Sequence, residues 1–151
     1  MTIEWQWRRL EDLTAKQLYA LFSARSAVFV VEQNCPYQDL DGADIEAEHL
    51  IAWSGDEVAA CLRLLAPGVK FTEVSIGRVL TTRAFRTAGL GRELMARGLV
   101  RCDQQYPSQA VRIGAQAHLE RFYGEFGFIR ASDAYMEDGI PHIEMVRAPR
   151  K

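Results

Sequence analysis

Residues 74–92 constrain the fold of this chain more than any other stretch. The segment Val74–Leu80 is apolar and β-branched, with a glycine inside it, and this pattern predicts a strand. Arg86-x-x-Gly89-x-Gly91 then leads into an amphipathic helix. A strand, a glycine-containing loop and a helix N-terminus form a phosphate-binding arrangement, because the glycines let a ligand approach and free N–H groups bind it.

This loop differs from two familiar nucleotide-binding motifs. It has neither the G-x-G-x-x-G order of a dinucleotide-binding unit nor the Gly-Lys-Ser/Thr of a triphosphate loop. The local charge nevertheless favours a small polyanion, since the only acid before Asp103 is Glu93 and the segment carries these arginines: Arg78, Arg83, Arg86, Arg92, Arg97 and Arg101. A solvated helix face is the alternative, and it explains Arg97 and Arg101 better than Arg86.

Length and composition limit the possible classes. The 151 residues, 48% of them hydrophobic, suit one domain over residues 1–151 with a substantial core. A net charge of -2 argues against nucleic-acid binding. Cys35, Cys61 and Cys102 have no C-x-x-C spacing and are predicted to be free thiols in a reducing compartment. Without a leader or a membrane-length apolar run, we expect a cytoplasmic protein without a membrane partner.

Hydrophobic periodicity predicts about seven strands and three or four helices in a mixed sheet. Predicted strands cover residues 3–8, 49–53, 58–65, 74–80, 111–115, 128–135 and 142–146. Thr14 and Gln17 form a capping box for a helix that buries Leu18, Leu21 and Phe22 and that can continue beyond residue 25. A short helix is predicted over residues 118–126, ending at Gly127.

The segment from residue 29 to residue 48 is irregular and acidic. A Ca²⁺ loop is rejected, because neither the glycine nor the final glutamate falls at the required position. Two interpretations remain open: an acidic surface loop with Asx turns, or a substrate-facing loop. In the second case the acids between Asp39 and Glu48 would hint at a cationic acceptor.

Two motifs together resemble the GCN5-related N-acetyltransferase (GNAT) family. Arg86-x-x-Gly89-x-Gly91 is similar to the family's acyl-CoA pyrophosphate loop. Residues 116–128 are similar to its later core, where a strand ends in an amide and a short helix carries Phe122-Tyr123 before Gly-Phe, although Gln116 replaces the usual Asn and Leu119 a small residue. Residues 25–42, 114–119 and 138–143 look like the ElaA-type branch, and the likeness covers essentially the whole chain.

The resemblance implies an α/β (α+β) GNAT fold, a mixed and mostly antiparallel sheet flanked by helices and splayed at its central parallel strands. It implies direct transfer from acyl-CoA, in the first instance acetyl-CoA, to a primary amine of a small molecule or peptide in a ternary complex. His49, His118 and His142 lack metal-ligand spacing, so no metal is expected.

The resemblance also assigns roles to individual residues. Tyr123 is expected to be the general acid, with a core tyrosine as the alternative. Candidates for the base are Glu32, His142 and Glu73. The position of His142, between a turn and a strand, is also typical of a structural histidine bonded to the backbone. The backbone N–H near Val79 or Leu80 is expected to bind the oxyanion. Residues expected to contact the cofactor are Val79, Leu80, Thr81, Arg86, Thr87, Ala88, Gly89, Leu90, Gly91, Arg92, Gln116 and Phe122.

Two other functions stay open at this stage. One is a module that senses acyl-CoA without turnover, and the other is an acyltransferase fed by an acyl carrier protein. An intact R-x-x-G-x-G loop favours free coenzyme A over a carrier protein. The sequence leaves both a monomer and a homodimer possible, since edge strands can pair or stay capped.

Overall fold

The computed structural model describes residues 2–150. The strands are β1 (Glu4–Arg8), β2 (Glu48–Ser54), β3 (Glu57–Leu65), β4 (Val74–Thr81), β5 (Val111–Gln116), β6 (Phe128–Arg130), β7 (Tyr135–Glu137) and β8 (Ile140–Arg147). The α-helices are α1 (Ala15–Arg25), α2 (Leu90–Gln105) and α3 (Glu120–Gly124). All eight strands form one sheet in the order β1-β2-β3-β4-β5-β8-β6, with β7 also paired to β8.

The sheet splays at its centre. β4 and β5 are its parallel pair, and they pair only through Val74 with Val111 and Ser75 with Arg112. Beyond Ser75 the two strands separate, whereas all other neighbouring strands are antiparallel. The expected mixed, mostly antiparallel sheet with splayed parallel strands is thus confirmed.

A bulge in β4 lies beside this opening. Cys61 of β3 pairs with Leu80, but Arg63 pairs with Gly77, so Arg78 and Val79 have no ladder partner on β3. Arg78 has the left-handed φ of 50°. Bulges bend a strand and redirect its side chains, and the glycine inside the predicted strand was the sequence signal for it.

The two faces of the sheet carry separate cores, since alternate residues of a strand point to opposite faces. One face packs against α2 through its buried apolar residues Leu90, Leu94, Met95, Leu99 and Cys102. The other packs against α1, whose Leu21 is fully buried, while the predicted core residues Leu18 and Phe22 are only half-buried. Gly98 lets α2 approach, because a Cβ there would lie 3.0 Å from a methyl of Leu62.

Local predictions were correct in most places. The capping box of α1 is confirmed, with Gln17 N–H donating to Thr14 Oγ1 at 3.1 Å and Thr14 N–H to Gln17 Oε1 at 3.0 Å. The helix continues beyond residue 25 as a π-helix over Ser26–Glu32. The predicted short helix begins as a 3₁₀ turn at Ala117–Leu119 and becomes α3. No helix within residues 2–150 has both the length and the apolarity to cross a bilayer.

The prediction of one strand over residues 128–135 was wrong. The segment forms β6 and β7, which pair with different halves of β8. Between them Ser132 interrupts the ladder, because its hydroxyl accepts the Glu144 N–H at 2.9 Å. The sheet therefore has eight strands rather than about seven.

Candidate active site

A cavity of about 530 Å³ lies where β4 and β5 separate. Its walls come from β4, β5 and α3, from the π-helix with its following loop, and from the hairpin that joins β7 to β8. Seven of the residues predicted from the sequence line it: Val79, Leu80, Thr81, Arg86, Gln116, Tyr123 and His142. Segments from both halves of the chain therefore converge on one cleft.

The N-terminus of α2 lies beside the end of β4. Gly89 takes a φ of 72° as the N-cap residue and supplies no side-chain cap, so the first-turn N–H groups have no side-chain partner there. A Cβ on Gly91 would lie 4.0 Å from both the Thr81 methyl and the Phe122 ring, so the first turn of α2 lies next to these two residues. Leu90 is buried in the core, and only its backbone can contact a ligand.

One expected donor of this loop is already occupied. The Ala88 N–H donates to the Phe85 carbonyl at 3.2 Å. Within the expected phosphate-binding stretch, the backbone of Thr87 and of residues 89–92 remains the better source of donors.

The arginine-rich segment does not present the free positive charge that its sequence suggests. Most of its guanidinium groups pair with a carboxylate: Arg78 with Asp39, Arg86 with Glu32, Arg92 with Glu125, Arg97 with Glu93, and Arg101 with Glu48. Arg97 and Arg101 also lie over the rings of Trp5 and Trp7, at 4.7 and 5.0 Å. The polyanion argument from charge clustering is therefore corrected, and the helix-face interpretation of Arg97 and Arg101 is favoured.

Arg86 and Glu32 meet at one edge of the cleft. The Arg86 guanidinium donates to Glu32 and, through Nε, to the Thr81 carbonyl at 3.2 Å. This ion pair joins the glycine loop to the end of the π-helix. One base candidate is thus bound to a residue expected to contact the cofactor.

Tyr123 lies on α3 and faces the cavity. The residue is only 7% exposed, and its ring packs edge-on against Phe122 and Phe128. Burial raises the pKa of Tyr123 to about 12. The phenol therefore stays protonated at neutral pH and can donate a proton into the cleft.

His142 is the first residue of β8 that pairs with β5, and it lies opposite Gln116. Its Nδ1 donates to the Ile140 carbonyl at 2.8 Å, which leaves Nε2 as the nitrogen that can accept a proton. The Glu137 carboxylate lies 3.3 Å from Nε2, and Tyr135 stacks on the ring at 6.1 Å. This carboxylate can stabilise the imidazolium once a proton is taken up.

Glu73 is placed elsewhere. It precedes β4 at the end where β4 and β5 are still paired, and it binds Arg112 at 3.1 Å. It does not line the cavity, so the structure gives no support to Glu73 as a base. Among residues 2–150, no group of three His, Cys, Asp or Glu side chains is arranged to hold a metal ion.

A buried ionic network neutralises the acidic segment. Asp44 binds Arg25 at 2.6 Å and Arg63 at 3.1 Å, and Asp39 binds Arg25 at 3.0 Å. Asp41 accepts two hydrogen bonds from Arg63, which lower the pKa of Asp41. Arg25, buried at the end of α1, is thereby held to this segment.

This network removes the argument for a cationic acceptor. Arg78 completes it by binding Asp39 at 2.7 Å, so that three guanidinium groups face three carboxylates. The segment still forms part of the cleft, because Tyr37 and Asp41 line the cavity. It is therefore a cavity-lining loop whose charge is balanced by arginines of the same network.

Several cleft residues were not identified from the sequence. Tyr37, Lys70, Glu137 and Asp138 line the cavity, and Cys35 Sγ donates to the Asp138 carbonyl at 2.6 Å, which ties the loop to the β7–β8 hairpin. The turn signal Asp138-Gly139 located the hairpin. No local pattern indicated that it would meet a loop about 100 residues earlier.

Comparisons with known proteins show which family shares this sequence and fold. The family described as an acetyltransferase (GNAT) domain matches residues 10–148. Protein ElaA of Escherichia coli is 48% identical over 147 residues, 96% of each chain. An acyl-CoA N-acyltransferase from Pseudomonas aeruginosa superposes with a TM-score of 0.92 at 45% identity, covering 97% of this chain and 100% of that one. The crystal structure of Escherichia coli ElaA gives 0.90 at 47% identity, covering 97% and 99%.

Proposed function

Because the chain belongs to the GNAT acetyltransferase family, and is therefore an acyltransferase, we propose that it transfers an acyl group, in the first instance acetyl, from acyl-CoA to a primary amine of a small molecule or peptide. Both substrates bind in the cleft together and transfer is direct. One observation carries the proposal: the splay of β4 and β5 opens a cavity lined by a protonated phenol and an imidazole, and the uncapped N-terminus of α2 lies beside Thr81 at the end of β4.

The coenzyme is expected to lie along the end of β4. Backbone N–H groups of Thr87 and of residues 89–92 bind the pyrophosphate. Arg86 adds positive charge, either by leaving Glu32 for the phosphate or by binding both groups at once. Gln116 and Phe122 flank the same path. Gly91 supports this placement, because it has no side chain to cover the first-turn N–H groups where α2 lies next to Thr81 and Phe122.

The oxyanion is expected to be bound by a backbone N–H of β4. The bulge leaves Val79 without a ladder partner on β3. Because β4 and β5 have already separated at this point, Val79 has no ladder partner on β5 either. A strand N–H free on the cleft side is a suitable oxyanion donor. Among the two residues expected from the sequence, Val79 is therefore favoured over Leu80.

Two side chains of the cavity, Tyr123 and His142, carry out the proton transfers. The amine attacks the thioester carbonyl carbon, its surplus proton goes to His142 Nε2, and the tetrahedral intermediate collapses with cleavage of the C–S bond. The departing sulfur takes the phenolic proton of Tyr123, whose raised pKa keeps that proton in place at neutral pH. Glu137 stabilises the His142 imidazolium.

The test is amine-dependent release of coenzyme A thiol, with Tyr123→Phe as the variant. The protein's own thiols give little background, since Cys35, Cys61 and Cys102 are all buried. We expect the variant to keep its affinity for acetyl-CoA and to lose about 10²- to 10⁴-fold in rate. An unchanged rate would refute the role of Tyr123. Saturable acetyl-CoA binding without turnover of any amine would favour the sensing module instead.

A further inference from the structure

One cationic side chain of the cleft has no carboxylate bound to it. The lysine and arginine side chains that line the cavity are Lys70, Arg78 and Arg86. Arg78 binds Asp39, and Arg86 binds Glu32. Within residues 2–150, Lys70 forms no ion pair, and its Nζ lies 5.5 Å from the centre of the Phe71 ring. Its ammonium is therefore available to a ligand.

Lys70 lies in the turn between β3 and β4, at the mouth of the cavity. Lys70 is an exposed residue, but desolvation on its cavity side lowers its pKa, as do Arg78 and Arg63, whereas Glu137 and Asp41 act to raise that pKa. Neither Glu137 nor Asp41 forms an ion pair with this ammonium: Glu137 lies against His142, and Asp41 pairs with Arg63 and Arg78. An anionic group of a ligand in the cavity can therefore pair with the Lys70 ammonium.

The nearby carboxylates each pair with a residue other than Lys70. Asp41 is held by two hydrogen bonds from Arg63, and Asp39 is shared between Arg25 and Arg78. Glu137 lies beside His142, on the wall where an amine would be deprotonated. Lys70 and Glu137 therefore offer opposite charges to one ligand inside one cavity.

We propose that the acceptor is a small amino acid, an amine that also carries a carboxylate. Lys70 binds the carboxylate, and the amine faces His142 and Glu137, whose carboxylate attracts the ammonium before it loses its proton. This assignment rests on the proposed transferase function and names its acceptor class. It replaces the cationic acceptor suggested by the acidic loop.

The experiment compares amino acids with their carboxamides, which keep the shape and remove the negative charge. The panel contains α-amino and ω-amino acids, so that the spacing between amine and carboxylate is also read. For wild-type protein we expect kcat/KM to favour the acids by at least about tenfold, the size of one charge-assisted hydrogen bond. In Lys70→Gln that preference should fall to about one, while the rates with the carboxamides are retained. Lys16→Gln, which removes an exposed charge from α1, should behave as wild type.

Calorimetric titration of the same pairs into the protein saturated with coenzyme A gives a second readout that needs no turnover. Tighter binding of the acids that is lost in Lys70→Gln supports the proposal even if the reaction itself fails. Preference for the carboxamides in wild type, or an acid preference that survives in Lys70→Gln, overturns it. Absence of turnover with retained acid binding would refute the transferase function and leave the Lys70 site standing.

Discussion

Replacing Asp44 with asparagine should break the buried ionic network and lower the free energy of unfolding of the protein by a measurable amount. The Asp44 carboxylate is 4% exposed as a residue and binds Arg25 through both oxygens, at 2.6 and 3.1 Å, and Arg63 at 3.1 Å. The amide group of asparagine would place a donor against a guanidinium donor. Removing one partner of a buried ion pair costs about 3–5 kcal/mol.

We expect a loss of about 3 kcal/mol, the low end of that range, because Asp39 still pairs with Arg25 and Asp41 with Arg63. For a chain of this size the melting temperature should fall by roughly 6–12 °C. Urea unfolding measures the difference, and Asp56→Asn in the exposed β2–β3 turn is the control, expected within about 0.5 kcal/mol of wild type. A loss in Asp44→Asn no larger than the control's would refute the reasoning.

The same variant has a pH signature. Burial would raise the pKa of Asp44, but hydrogen bonds and charge from Arg25 and Arg63 outweigh burial and lower it. A carboxyl whose folded pKa is lowered stabilises the fold above its ordinary pKa of about 4 and loses that contribution as the pH falls through the folded value. The stability difference between wild type and Asp44→Asn should therefore shrink below about pH 4.

Three further predictions concern the cleft. Glu32→Gln releases Arg86 and should tighten acetyl-CoA binding by up to about fivefold in a calorimetric titration with kcat retained, whereas a hundredfold loss of kcat would make Glu32 the base. His142→Gln should lower kcat about 10²-fold in the thiol-release assay and leave acetyl-CoA affinity unchanged; unchanged kcat contradicts its role. Because the pKa of Tyr123 is raised to about 12, a pH profile of kcat should show no fall centred at 10.0, the ordinary tyrosine value, and such a fall would count against the buried phenol as the acid.

Local patterns predicted the parts of the site that depend on neighbouring residues. The strand, glycine loop and helix of residues 74–92 form as expected, because strand period, helix period and glycine conformation act within a few residues. The GNAT resemblance and its ElaA-type branch are confirmed by the family match and by the identity to ElaA. The roles assigned to Tyr123 and His142 stay predictions.

The features that the sequence did not predict depend on pairing between residues far apart in the chain. The arginine cluster suggested free charge because Asp39, Glu32 and Glu48, which neutralise Arg78, Arg86 and Arg101, lie 39–54 positions earlier in the chain. The acidic loop misled for the same reason. Lys70 and Glu137 reach one cavity only through the order of the strands, and no spacing along the chain indicates that they do.

The measurement that tests the account most directly is the acetyl-CoA affinity of wild-type protein and of Gly91→Glu. A carboxylate at the start of α2 is compatible with the helix dipole and should leave the fold stable, but next to Thr81 and Phe122 it would crowd and repel a pyrophosphate bound at the helix N-terminus. Gln104→Glu adds the same charge at the exposed far end of the same helix. We expect saturable binding in wild type and in Gln104→Glu, and a loss of at least about tenfold in folded Gly91→Glu, a difference of about 1.4 kcal/mol. Equal affinity in all three proteins would contradict the placement of acyl-CoA in this cleft.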